Sequence, residues 1–199
     1  MSLLRSSPLS VNSGRLSGEE FSQQERTILL RLAHDSILSA FEGREIPFRA
    51  PTAHLAEPRG VFTSLYFRGE LRGCVGYALP VSDLYRAVAD TARAAAFEDT
   101  RFHPVTLQEA PDLEIELSIL SPPQPMPAEA IEIGRHGLLI SRAGHRGLLL
   151  PQVPTEHNWD CTTFLEQTCR KAGLPLDAWK NGAIIEAFTA EVFGEKHPQ

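Results

Sequence analysis

The side chain with the greatest potential reactivity is a cysteine in a short run that contains two glycines. Leu-Arg-Gly-Cys-Val-Gly occupies positions 71–76, with Cys74 two residues after Arg72. Side chains alternate between the faces of a β-strand, so both residues would share one face, roughly 6.5 to 7 Å apart. The Arg72 guanidinium could then fold toward the Cys74 sulfur, and a nearby cation favours the nucleophilic thiolate. We therefore predict Cys74 and Arg72 as a catalytic pair.

The glycines around this cysteine admit two interpretations. Gly73 and Gly76 are predicted binding residues, because glycine lets a ligand approach the backbone closely. Alternatively, Cys74 is a small buried apolar side chain, since free cysteine is among the most buried residue types. Leu148 favours the second interpretation, because it stands two positions after Arg146 in a similar run and is plainly apolar. The sequence leaves both open.

Two histidines are candidate bases for the cysteine. His103 follows an Arg-Phe pair, and His136, which is also a predicted binding residue, precedes a predicted strand. Histidine titrates near neutral pH and is the most frequent general base, although an ordinary hydrogen-bonded loop histidine is the alternative for each. Neither His-x-x-x-His nor Cys-x-x-Cys spacing occurs, so no metal site is predicted. The sequence identifies no cofactor.

A second Arg-Gly pair supplies further binding candidates. Arg146 precedes the run Leu-Leu-Leu-Pro-Gln, which ends at Gln152. If two related units face each other, Arg72 and Arg146 would converge on an anion such as a carboxylate or phosphate. Alternatively, the arginine stems cover apolar sheet surface. Arg146 and Gln152 are predicted to contact a ligand or a partner protein.

The hydrophobic pattern predicts the elements that position these residues. Ser22 and Glu25 form a capping box at the start of a helix that Gly43 ends. Residues 1–16 are expected to form a disordered leader, and residues 17–199 a single domain.

A hairpin and a helix surround the cysteine. Strands are predicted at 61–67 and 71–77, then a helix capped by Ser82 and a strand at 113–119. Alternation in this last strand directs two acidic residues to solvent, with paired acid/base carboxylates as the alternative: Glu114 and Glu116.

The same order recurs after a proline-rich connector. Strands are predicted at 137–141 and 146–150, then a helix capped by Asp160 or Thr162, then a strand at 184–193. We therefore predict an α+β fold made of a duplicated hairpin, helix and strand unit, at 60–120 and 137–193. The alternative is a chance similarity of two hairpins. Two such units would form one curved, barrel-like mixed sheet with helices outside.

Composition limits the environment and the partners. The 199 residues include 25 acidic and 19 basic side chains, a formal net charge of -6, which argues against a broad nucleic-acid or anionic-membrane surface. Three cysteines without framework spacing indicate free thiols and a cytoplasmic location. No signal-peptide or membrane-spanning pattern is expected at the N-terminus.

Several strings resemble those of the AmmeMemoRadiSam system protein A family, the AMMECR-type domain. Besides positions 71–76, they are Gly-Val-Phe-Thr-Ser-Leu at 60–65, Arg101-Phe102, Leu-Ser-Ile-Leu-Ser-Pro-Pro at 117–123, Gly-Arg-His-Gly-Leu at 134–138, Arg-Gly-Leu-Leu-Leu-Pro-Gln-Val at 146–153, Trp159-Asp160 and Ala-Gly-Leu-Pro at 172–175. The resemblance implies a duplicated α+β fold with a barrel-like sheet, and association with a Memo-like protein and a radical-SAM enzyme. Val75 and Thr100 depart from the pattern, where isoleucine and proline are usual. The resemblance implies no settled activity.

Two functions are consistent with these residues. The first is a thiol-dependent enzyme or enzyme component that uses Cys74 and Arg72 on a small anionic or protein substrate. The second is a non-catalytic protein-binding or scaffold module, because no complete catalytic triad is evident. The geometry around the cysteine distinguishes them, either as a concave opening or as a closed apolar core.

Overall fold

A computed structural model describes residues 19–47 and 49–195 of the chain. The predicted leader at residues 1–16 lies outside this range. The first element is α1 (Gln23–Glu42), and the predicted capping box is confirmed. The Ser22 N–H donates to the Glu25 carboxylate at 3.0 Å, and the Glu25 N–H donates to the Ser22 hydroxyl at 3.3 Å. Gly43 ends the helix in the left-handed conformation, with a φ of 63°.

The first unit follows the predicted order of hairpin, helix and strand. Its elements are β1 (Gly60–Phe67), β2 (Glu70–Tyr77), α2 (Leu84–Phe97) and β3 (Leu113–Leu120). The predicted helix cap at Ser82 is wrong by one residue, because the Asp83 carboxylate accepts the hydrogen bond from the Arg86 N–H at 2.9 Å.

The second unit repeats that order with a short insertion. Its elements are β4 (Gln124–Pro125), β5 (Gly137–Arg142), β6 (His145–Leu149), α3 (Gln152–Glu156), α4 (Cys161–Lys171), β7 (Ile184–Phe188) and β8 (Ala190–Gly194). Of the two proposed caps for α4, the Asp160 carboxylate accepts from the Thr163 N–H at 2.7 Å. The single strand predicted at 184–193 is broken at Thr189.

The strands form two four-stranded sheets rather than one barrel-like mixed sheet. The strand orders are β2-β1-β3-β8 and β4-β7-β5-β6, and every pairing between these strands is antiparallel. Each sheet keeps two edge strands, so the described strands do not close into a barrel.

Strand ends are exchanged between the two units. β3 continues into β4, which pairs with β7, and β7 continues into β8, which pairs with β3. At the crossing, the Ser121 N–H donates to the Thr189 carbonyl and the Thr189 N–H donates to the Ser121 hydroxyl, both at 2.9 Å. This exchange explains the absence of a single sheet, because each return strand leaves its own sheet at this point.

The glycine of each Arg-Gly pair lets a helix pack directly on its hairpin. A Cβ added at Gly73 would lie 2.1 Å from the Ala95 carbonyl oxygen of α2. A Cβ added at Gly147 would lie 2.3 Å from the Ala172 nitrogen, just after α4. The two units therefore share an element order and a packing device. Their common origin and the domain boundaries stay predictions.

This close approach yields a prediction for Gly73→Ala. The added methyl group would meet backbone atoms, which cannot rotate away, so we expect the free energy of unfolding to fall by about 2 to 3 kcal/mol. Urea denaturation would measure this change. As a control, Leu71→Ala on the same strand removes a side chain that is 40% exposed. It should change stability by less than about 0.5 kcal/mol. Equal stability of Gly73→Ala and the wild type would refute the packing explanation.

Candidate functional site

A cleft of about 670 Å³ separates the outer face of the first sheet from loops of the second unit. The floor of the cleft consists of side chains from β1, β2, β3 and β8: Phe62, Ser64, Cys74, Glu116, Ser118 and Val192. The opposite wall comes from the segment before β5 and from the region of α3: Gly134, Arg135, Leu150, Pro151, Gln152 and Thr155. Both units are needed to form it.

Three polar side chains cross the floor in a row. Ser64 on β1 pairs with Cys74 on β2 and with Glu116 on β3. The neighbours of Ser64 in β1, Thr63 and Leu65, are fully buried toward the helices, so alternation turns Ser64 to the cleft. The Ser64 hydroxyl donates to the Cys74 sulfur at 3.4 Å. The thiol therefore belongs to a polar surface, with Glu116 two strands away.

Tyr66 extends this row along β1. Burial is the largest cause that raises its pKa, and the nearby Glu116 and Cys74 side chains add to the effect, while a hydrogen bond with Ser64 opposes it. The phenol therefore stays protonated at neutral pH and can act as a hydrogen-bond donor. Neither Tyr66 nor Ser64 was identified from the sequence, although alternation in the predicted strand could have placed both on the face of Cys74.

The loop after α2 holds the backbone of Cys74. Because β2 is an edge strand, its outer backbone groups need partners from outside the sheet. The Cys74 N–H donates to the Asp99 carboxylate at 2.9 Å, and the Arg101 guanidinium donates to the Cys74 carbonyl at 3.1 Å. Arg101 also binds Asp99 at 2.7 Å. That bond is the largest cause that holds the pKa of Asp99 well below its usual range.

Arg101, rather than Arg72, is the cation that contacts Cys74, because its guanidinium donates to the Cys74 carbonyl oxygen at 3.1 Å. The hydrogen bond with Asp99 is the main cause of a raised Arg101 pKa, and a charge interaction and a hydrogen bond with the Cys74 side chain contribute in the same direction. The string Arg101-Phe102 was noted in the sequence, but nothing in its spacing linked it to the thiol.

Arg72 points away from the thiol to the segment that follows α2. Its guanidinium donates to the Glu109 carboxylate at 3.1 Å and to the carbonyl oxygens of His103 at 2.6 Å and Pro104 at 3.1 Å. A β-bulge accounts for this direction. Leu65 pairs with Gly73 but the next residue of β1 pairs with Leu71, so Arg72 is the extra residue and interrupts the alternation on which the expected pairing depended.

The space beside the two glycines is filled by the protein itself. The α2 backbone occupies it at Gly73, and at Gly76 an added Cβ would lie 2.3 Å from the Phe62 ring. Packing therefore gives a physical reason for the Gly-Cys-x-Gly setting. Their predicted contact with a ligand stays a prediction.

The remaining predicted residues are dispersed, with one exception. His103 is exposed in an open depression beside Arg72. The buried His136 accepts a hydrogen bond at Nδ1 from the Glu132 N–H at 3.0 Å. Neither histidine lines the cleft, and the exposed Arg146 does not line it either. Gln152 does, opposite Cys74. The functional roles of these residues stay predictions.

Metal ligands and membrane spans were also sought in the described part of the chain. Residues 19–47 and 49–195 contain no group of three or more histidine, cysteine, aspartate or glutamate side chains placed to hold a metal ion. No helix within these residues combines the length and the apolar character that crossing a bilayer requires.

Comparison with known proteins gives extensive matches. A protein-family model described as AMMECR1 matches residues 30–193. A protein of Methanopyrus kandleri is 42% identical over 194 residues, which cover 92% of this chain and 94% of that protein. A protein of Aquifex aeolicus is 42% identical over 182 residues, covering 85% and 92%. The crystal structure of an uncharacterized Pyrococcus horikoshii protein shares 38% identity with a TM-score of 0.66, covering 85% of this chain and 91% of that one.

The ion pair between Arg72 and Glu109 predicts a specific acid sensitivity. The hydrogen bond from Arg72 is the main cause that lowers the pKa of Glu109 to about 2. Since this value is below that of the unfolded chain, roughly 4.3, the contribution to stability is complete above pH 4.3 and is lost as the pH falls toward 2. Glu109→Gln should therefore be less stable than the wild type at neutral pH, and the difference should shrink below about pH 4.

Urea denaturation at a series of pH values would measure this difference. Glu70→Gln is the matched control, because Glu70 is an exposed carboxylate on the same strand as Arg72. It should track the wild type throughout. A stability difference for Glu109→Gln that is constant down to pH 2 would show that the ion pair is not its source.

Proposed function

The chain belongs to the AMMECR1 family, and we propose that it is a thiol-dependent enzyme, or a component of one, whose reactive group is Cys74. One observation carries the proposal: the half-buried Cys74 thiol lies on the floor of the cleft, where the Ser64 hydroxyl donates to it and the Arg101 guanidinium donates to the carbonyl oxygen of the same residue. A cysteine that served only as apolar filling would need neither group.

These two groups are of the kinds that nucleophilic cysteines use. A hydrogen bond to the charged form and a neighbouring cation both stabilise a negative sulfur, and the thiolate is the nucleophile. The position of the sulfur also allows access. The volume of the cleft falls within the roughly 300 to 1,000 Å³ that is typical of ligand sites. Arg101 is thus the cation beside the cysteine, a role that was predicted for Arg72 from the sequence.

The cleft favours a polypeptide substrate over a small anion. The expectation of an anionic substrate depended on Arg72 and Arg146, and neither lines the cleft. Its two charged side chains are Glu116 and Arg135, and the rest of its surface is uncharged. A protein substrate, the other expectation from the sequence, is therefore the one retained.

The finer family assignment is also part of this proposal. Membership of the AmmeMemoRadiSam system, with a Memo-like protein and a radical-SAM enzyme as partners in the cytoplasm, is supported by the sequence strings described above. Such partners are consistent with a component that only binds and presents a substrate through a thiol, because that component needs no cofactor of its own.

A second function, a non-catalytic protein-binding module, is favoured by a different observation. The residues that line the cleft include no histidine, which is the usual base beside a nucleophilic cysteine. In that case Cys74 would contact the partner without forming a bond to it.

Alkylation rates test the thiol proposal. At neutral pH, iodoacetamide should label Cys74 faster than Cys161 or Cys169, because burial is the main cause that raises the pKa of the latter two thiols. Arg101→Met should slow the labelling of Cys74 several-fold, whereas Arg72→Met should leave it unchanged, because the Arg72 guanidinium contacts Glu109 and the His103 carbonyl rather than Cys74. Mass spectrometry of the native protein would give the three rates.

Thermal unfolding of the Arg101→Met and Arg72→Met variants provides the control for stability, since each variant loses one ion pair of the same loop region. Labelling of Cys74 that is no faster than that of Cys161 would leave the binding module as the better account. Equal slowing in the two arginine variants would show that loop order, rather than the charge of Arg101, controls the thiol.

A further inference from the structure

Glu116 is a half-buried carboxylate on the cleft floor. Within residues 19–47 and 49–195, no hydrogen bond or ion pair is seen at its carboxylate, and its negative charge contributes to the raised pKa of the Tyr66 phenol. A carboxylate in a cleft is stabilised when a cation or a hydrogen-bond donor replaces the water it loses. The cleft therefore offers an acceptor site for a positively charged group of a ligand.

The cleft continues into a second cavity along β8. This cavity has a volume of about 610 Å³ and shares four residues with the cleft: Gly134, Arg135, Ala190 and Val192. Together the two cavities form what we call the groove. The groove extends from Cys74 past the exposed side chain of Val192 to Arg26 near the start of α1. Its length suits an extended chain better than a compact metabolite.

The charge of the groove is negative. Its lining contains four carboxylates and two guanidinium groups: Glu19, Glu20, Glu116 and Glu191 against Arg26 and Arg135. Both arginines have carboxylate partners, and Glu20 binds Arg59 outside the lining, so among the described residues Glu116 is the lining carboxylate with no ion-pair partner. Arg26 binds Glu191 at 2.9 Å and Glu19 at 3.1 Å, and Arg135 binds Glu132 at 2.9 Å. The excess negative charge thus favours a basic occupant.

We propose that the groove binds an extended polypeptide segment and that Glu116 receives the ammonium group of a lysine side chain in it. This inference deepens the proposed function, because it names the substrate class of the same cleft. An ammonium group has three donors. Besides the Glu116 carboxylate, the floor presents the Ser64 and Ser118 hydroxyl oxygens on adjacent strands. The lysine would then lie beside the Cys74 sulfur.

The apolar part of the floor suits the stem of the same side chain. Phe62 pairs with Ser118, and Ser118 pairs with Val192. An aromatic and an aliphatic side chain therefore lie in the row next to that of Cys74, Ser64 and Glu116. Lysine covers apolar surface with its methylene groups while its charged end reaches a polar partner. A free alkylamine would keep this contact but would lack the backbone that occupies the rest of the groove.

A titration with defined peptides tests the inference in the full chain. The probe is a capped pentapeptide with a central lysine flanked by alanines, and the matched probe carries acetyl-lysine at the same position. Heteronuclear NMR would follow the amide signals of Ser64, Cys74, Glu116 and Ser118. The lysine peptide should cause saturable shifts there, and acetylation or Glu116→Gln should each weaken binding about tenfold, since a charge-assisted hydrogen bond is lost.

Two comparisons sharpen this experiment. Glu186→Gln should leave binding unchanged, because Glu186 pairs with Leu139 of β5 as Glu116 pairs with Ser64 of β1 but does not line the groove. A chemically inert thiol in a wild-type protein that still binds the lysine peptide would defeat the proposed function without touching this inference. Any of three results would overturn the inference: no saturable shifts, equal binding of the acetylated peptide, or equally tight binding of butylamine.

Discussion

The exchange of strand ends between the two units is the constraint on which the rest of the structure depends. β3 and β7 each leave their own sheet at the crossing of Ser121 and Thr189 and continue in the sheet of the other unit. This crossing joins the two sheets through backbone hydrogen bonds rather than through side-chain contacts alone. It also places the loops of the second unit opposite the outer face of the first sheet. The cleft is the space that results.

The position of Cys74 follows from a second constraint, the edge of the first sheet. An edge strand must satisfy its outer backbone groups, and here the Asp99 and Arg101 side chains do so at the cysteine itself. The same arginine that completes the backbone hydrogen bonds thereby comes close to the thiol. Fold stability and thiol environment are thus coupled through one residue.

Local features could be predicted from the sequence because they depend on neighbouring residues. The capping box at Ser22, the two hairpins and the helices that follow them were predicted correctly in kind and order. The alternation that turns Cys74 away from the helices was also correct, since Val75 and Tyr77 pack on the core beneath α2. Gln152 was assigned to a binding surface; it lines the cleft together with the cysteine, and its role stays a prediction.

The site itself could not be predicted because it depends on contacts distant in the chain. The bulge at Arg72 adds one residue to a strand whose hydrophobic pattern gives no sign of it, and this reassigns the cation beside the thiol. The sequence pattern makes Glu116 an ordinary solvated strand residue, because nothing in it shows that the second unit lies across from this side chain. A single strand was predicted at 184–193 because the pattern continues through Thr189, whereas the hydrogen bonds change partners there.

The central claim is that the thiol and the groove form one site, and protection from alkylation tests it most directly. The rate at which iodoacetamide labels Cys74 would be measured with and without saturating lysine peptide, with Cys161 as the internal reference outside the groove. If a lysine occupies the floor at Glu116, Cys74 should be labelled several-fold more slowly while the rate at Cys161 stays the same. Undiminished labelling of Cys74 at a peptide concentration that saturates binding would contradict the claim.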